Sequence, residues 1–256
     1  MAADFFAASY CGQPSTPLDA ATRWNFDPFA LTLLGIAASV YLMRRDRKGL
    51  AGVCVLALIF VSPLCALSNA LFSARTLHHL LLVLVAAPLL ADPARSQSIE
   101  RQRWRNDADP ADGRHGVGAA FAISTIVLWA WHVPALYAAA LQHAPVYGLM
   151  QATLLASAGF YWRRILIASP GTALGGIVAG AMQMGLLGAL LTFAQRPLYE
   201  PHLLGTASWG IAPLADQQLA GLLMWVPAML PYAWIGWRVA AGAWRQAAPA
   251  VEHRPA

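Results

Sequence analysis

Charge is what this chain has least of. Only 11% of its 256 residues are Asp, Glu, Lys or Arg, against 58% hydrophobic residues, whereas a soluble domain carries roughly a quarter charged. The shortage excludes an ordinary soluble globule. Repeated apolar spans leave no stretch long enough for a separate soluble core, so residues 1–256 read as a single integral membrane domain. Cysteine is scarce as well: Cys11, Cys54 and Cys65 are too few and too scattered for a disulfide framework or a closed thiolate metal site, and no CxxC or CxxxC occurs. The N-terminal MAADFFAASYCGQPSTP lacks a basic segment followed by an apolar one, so no cleavable signal peptide is expected. Absence of a nucleophile elbow, a phosphate loop and an HExxH motif leaves hydrolytic or nucleotide-driven catalysis without support, and the chain is not expected to be an enzyme. The net charge of +5 lies in short clusters between apolar spans. That pattern speaks for membrane topology and lipid contact and against nucleic acid.

What the sequence does contain is an all-α pattern of seven apolar spans, a polytopic helical bundle. They run at about 28–43, 50–69, 71–91, 117–141, 146–168, 172–194 and 217–241. The first is the weakest, short against the roughly 20 residues a span needs. Basic clusters at RRDRK (44–48), Arg163 with Arg164, and Arg238 with Arg245 fall on one side, together with a mixed-charge loop at about 92–116. By the positive-inside rule that side is cytoplasmic, which sets the C-terminus inside and the N-terminus in the periplasm. Residues 1–27 then form a polar periplasmic lead ending in Trp24 and Phe26 as an interfacial anchor, and about 195–216 a periplasmic loop. Gly176 and Gly180 have the small-xxx-small spacing that allows close helix contact. Pro134 is expected to kink the fourth span beside His132.

The third span is the stretch with chemistry in it. In SARTLHHLLLVLVAAPLLA, residues 73–91, Arg75, His78 and His79 head an otherwise lipid-like run, and at about 100° per residue they share roughly a third of the helix circumference. Ionisable groups inside a span face protein or a water-filled cavity and mark function by default. The topology adds His132 at similar depth in the fourth span, Tyr147 and Gln151 one turn apart in the fifth, Asp216 and Gln217 opening the seventh, and His202 in the outer loop. Imidazole with carboxylate suits copper or zinc, with Asp216 as ligand or supporting partner. Arg75, a permanent cation one turn from His79, opposes a metal there and offers a structural alternative, an Arg75–Asp216 pair.

Four strings are similar to a known family: WNFDPFALTLLGIAASVY (24–41), LFSARTLHHLLLVLVAAPLLA (71–91), WHVPALYAAAL (131–141) and PLADQQLAGLLMWVP (213–227). In this order they resemble the caa3-type CtaG family of cytochrome c oxidase assembly factors. The resemblance implies a seven-helix, multi-pass protein of the bacterial inner membrane that helps mature a haem-copper oxidase, with copper as the metal. Oxidase subunits and periplasmic copper chaperones are the implied partners. The family's third helix commonly reads HMxQH, where this chain has Arg75 first, His78 at the glutamine and His79 last. A further His-xxx-His pair is replaced here by Tyr147 and Gln151, while His132 and Asp216 match. The expected metal residues are therefore His79, His132, His78 and Asp216, with Arg75, Tyr147, Gln151, Gln217 and His202 as accessory polar groups. Two other readings remain: a membrane redox protein with haem between His79 and His132, and a metal-free scaffold for oxidase assembly.

Overall fold

The computed structural model describes residues 5–6, 8–91 and 110–247. The loop expected at about 92–116 thus falls largely outside the described residues. Those described are helical, with no strand among them. Helix α1, Pro28–Met43, starts with proline in its first turn and Asp27 accepting from the Ala30 amide at 2.7 Å, the usual start chemistry. Asp46 caps α2, Arg47–Val61, in the same way. At Pro63 the chain bends by 51° into α3, Leu64–Ala70. Leu71 is extended, and α4, Phe72–Leu80, begins after it. A π-helical turn, Leu81–Ala86, joins α4 to α5, Ala87–Ala91. The kink expected at Pro134 is a 72° bend between α6, Pro110–Trp131, and α7, Pro134–Gln142. Helices α8 (Ala144–Ile167), α9 (Pro170–Thr192), α10 (Pro213–Trp225) and α11 (Met229–Ala247) complete the bundle.

Among the described residues three stretches, Phe72–Ala91, Pro170–Thr192 and Pro213–Arg245, are long and apolar enough to cross a membrane, and up to five if each bent pair counts as one span. Polarity is inverted relative to a soluble fold. Arg75, His78, His79, Asp216 and Gln217 are buried, while Phe29, Ile36, Met182, Leu230, Trp234 and Trp237 are exposed. An apolar exterior over a polar interior is what a lipid solvent selects.

One close backbone contact between helices is not among those that the small-residue spacing identified. A Cβ on Gly188 of α9 would lie 2.7 Å from Gly221 O, and one on Gly221 of α10 would lie 2.5 Å from Gly188 O. Two backbones therefore touch through reciprocal glycines. Gly176 and Gly180 instead make room for side chains: Ile165 and Val117 lie against Gly176, and Tyr161 lies against Gly180 and donates from its hydroxyl to Gly176 O at 2.9 Å.

Part of the lead before α1 packs as a cap on the bundle. Phe6, Cys11 and Ser15 are buried. Asn69 donates from Nδ2 to Ser9 Oγ at 2.9 Å and to Gly12 O at 2.7 Å, and Trp209 donates to Ser15 O at 3.0 Å. Gly12 takes a positive φ of 74°, which makes the turn. The three cysteines, expected to be too few and too scattered for a disulfide framework, include one bonded pair: Cys11 and Cys65 are joined by a disulfide across 54 residues, leaving Cys54 free. Sequence separation hides such a bond because the α3 bend brings the lead back to the same end of the bundle. A maleimide mass tag on the SDS-denatured protein should add one label without reductant and three with it. Three labels without reductant would remove the disulfide.

Candidate functional site

The structure divides the expected site residues into two adjoining groups. The first is built on the break at Leu71. Helix α4 starts without a capping side chain of its own, so its first amides need acceptors from elsewhere. Asp216, in the first turn of α10, supplies them: it accepts from Phe72 N at 2.6 Å, from Ser73 N at 3.2 Å and from the Ser73 hydroxyl. Asp216 is fully buried. The Arg75–Asp216 ion pair offered by the sequence does not form. Arg75 Nη2 donates to Asn69 Oδ1 at 2.5 Å, and its guanidinium carbon lies 5.2 Å from the centre of the Tyr147 ring.

Around this core, Phe72 stacks on Tyr199 at 4.2 Å, and Tyr137 Oη lies 2.6 Å from His202 Nε2. Burial, and after it the Arg75 guanidinium, push the His202 imidazole down to about 3. His202 is therefore neutral at physiological pH. The other ring nitrogen, His202 Nδ1, is buried without a hydrogen-bond partner. Gln217 pins the outer loop, accepting from Leu198 N at 2.6 Å and donating to Arg196 O at 3.3 Å.

The second group lies one turn further along α4. His79 Nε2 accepts from the Gln151 amide of α8 at 3.3 Å. His132 Nδ1 donates to Leu128 O at 2.7 Å, which leaves its Nε2 with the lone pair that a metal ligand needs. Gln151 Oε1 is buried without a partner. His78 points elsewhere: its ring meets Phe60 edge-on at 5.2 Å, and neither nitrogen has a hydrogen-bond partner. Adjacent helical residues diverge by about 100°, so His78 and His79 do not converge. Among the described residues no three His, Cys, Asp or Glu side chains are grouped to hold a metal ion.

The second group therefore joins α4 to α8 through the Gln151–His79 hydrogen bond, with His132 at the α6–α7 bend. Below it, Leu128, Ser124, Leu154, Ser157, Gln183, Met184 and Tyr232 help line a small cavity of about 30 Å³, room for about two waters. Trp162, on its wall, donates to Val83 O at 2.8 Å, a carbonyl of the π turn, where the regular ladder is interrupted.

The sequence reading missed Asn69, Ser73, Tyr137 and Tyr199. Their signal was present as polar groups within or beside apolar spans, but small neutral side chains are common there and carry no charge to single them out.

An apolar-faced helical bundle with Arg75, His78, His79, His202 and Asp216 buried inside defines a membrane-type helical protein with an internal polar site. The family described as cytochrome c oxidase caa3 assembly factor (Caa3_CtaG) has a model that matches residues 50–246, and the chain belongs to that family. Neither a curated protein nor a solved structure matches the chain.

Proposed function

We propose that this assembly factor supports copper-centre maturation of a haem-copper oxidase, holding the ion transiently between His79 and His132 near the periplasmic face of the inner membrane. The observation that supports the reading is the Gln151–His79 hydrogen bond between α8 and α4, together with the His132 Nδ1 bond to Leu128 O, which leaves His132 Nε2 with its lone pair. Copper here is cargo. Two imidazoles bind it without enclosing it, and Arg75 one turn away weakens the hold, both of which favour release.

In this reading the chain crosses the membrane seven times, with its N-terminus outside and its C-terminus in the cytoplasm. Support comes from the basic clusters, which alternate with spans as the positive-inside rule requires, and from the Cys11–Cys65 disulfide, which suits an oxidising compartment. The capped end of the bundle then faces the oxidase subunit and any periplasmic copper chaperone.

Deleting the gene should lower oxidase activity in copper-limited cells by fivefold or more, with copper supplementation restoring part of it. Oxidase activity unchanged in the deletion strain under copper limitation would refute the proposal.

A further inference from the structure

We infer that the C-terminal half of α11 is a binding surface for an anionic membrane lipid, carried by two successive pairs, Trp237 with Arg238 and Trp244 with Arg245. The inference does not rest on the copper reading. The pairs repeat at a spacing of seven residues, so the two arginines lie two turns apart, about 10 Å, on one side of the helix. Together with Trp234 they occupy about 120° of its circumference. All five side chains are exposed. The bundle uses the opposite side of α11: Tyr232 is buried, Ile235 and Val239 pack against the core, and Gly236 faces Ile177 and Leu174 of α9.

Charge and depth select the occupant. Among the described residues neither the Arg238 nor the Arg245 side chain makes an ion pair or a hydrogen bond. The carboxylates of Asp19, Asp27, Asp46 and Asp216 are engaged elsewhere, with Thr16, α1, α2 and α4 in turn. Two permanent cations on one side of a helix therefore call for an anion from outside the chain. The apolar segment Pro213–Arg245 has 33 residues, about 50 Å of helix, against a hydrocarbon core of about 30 Å and about 40–45 Å with the headgroups. Its end thus reaches the headgroup layer, where phosphate is the fixed anion. A guanidinium matches phosphate oxygens with paired N–H donors, and an indole ring beside it suits the same layer.

The surface continues away from the arginines as apolar groups. Leu230 and Trp234 are exposed on the same side, one to two turns back along α11. They offer a place for an acyl chain that a soluble phosphate would leave empty, so the ligand is a lipid and not a free ion. A zwitterionic lipid carries its own ammonium beside the phosphate, whereas phosphatidylglycerol leaves its negative charge to the two arginines.

The test is native mass spectrometry of the purified full chain in an uncharged detergent, titrated with phosphatidylglycerol and phosphatidylcholine of matched acyl chains. The native protein should retain phosphatidylglycerol about tenfold more tightly, and saturably. The double variant Arg238→Gln, Arg245→Gln should bind both lipids alike. A control of equal charge change at the other basic cluster, Arg45→Gln with Arg47→Gln, should keep the preference. Soluble glycerol 3-phosphate should not displace the lipid. Equal retention of the two lipids by the native protein would overturn the surface. So would a preference that persists in the α11 variant or is lost as fully in the control, or displacement by glycerol 3-phosphate.

Discussion

Gly221→Val is expected to be among the most damaging single substitutions in this protein, costing more than about 3 kcal/mol of stability. The clash is with backbone. A Cβ at Gly221 would sit 2.5 Å from Gly188 O and 2.6 Å from Thr192 N, atoms that no rotamer change can move aside. Helices α9 and α10 would have to separate, and α10 carries Asp216 and Gln217, so the strain reaches the polar site. Gly221→Ala should already be harmful, because the first carbon makes the clash. Gly175→Ala in α9 is the matched control, since a Cβ there meets nothing within 4 Å, and it should leave stability unchanged or slightly raised. Unfolding in mixed detergent micelles, followed by circular dichroism, separates these outcomes. Equal midpoints for Gly221→Val and the native protein would show that the two helices do not touch there.

The second large effect is expected at Asp216. Asp216→Ala removes the acceptor for two amides and a hydroxyl at the start of α4. Bonds to a charged acceptor contribute about 1.5–3 kcal/mol each, and buried donors left unpaired add a further penalty. A loss of about 4 kcal/mol or more follows, equivalent to a fall in melting temperature of about 10 °C for a chain of this size. Asp216→Asn keeps one oxygen and should lose about half as much. Ser73→Ala, which removes only the hydroxyl, should lose about 1 kcal/mol. The order Ala, Asn, then Ser73→Ala distinguishes a capping role from an ion pair with Arg75, for which Ser73→Ala would have no effect.

Helix type, the break at Pro134 and the inward placement of the histidines were legible because each has a strong local cause: apolar runs, a missing amide hydrogen and the cost of charge in lipid. What Asp216 contacts was not legible. A carboxylate at a helix start can pair with a cation, bind a metal or cap a neighbouring helix, and the choice depends on where another helix begins in space. The same applies to His78 and His79. Their shared third of a helix surface suggested a joint site, but one ring turns toward Phe60 of α2 and the other toward Gln151 of α8. The cap was hidden for a further reason: short polar residues and prolines in the lead resemble a solvated tail unless the partner of Cys11 is known.

These placements give Arg75 and His79 different tasks on one helix. Arg75 organises the capped end with Asn69 and Tyr147, and His79, one turn on, bonds to Gln151 of α8.

The most direct measurement is the copper-to-haem ratio of the oxidase purified from copper-limited cells whose only copy of this protein carries His79→Ala and His132→Ala. With the variant present in the membrane at its normal level, the account predicts a ratio below about half that of cells carrying the native protein, set by loss of both imidazole donors. A ratio equal to the native one would contradict it.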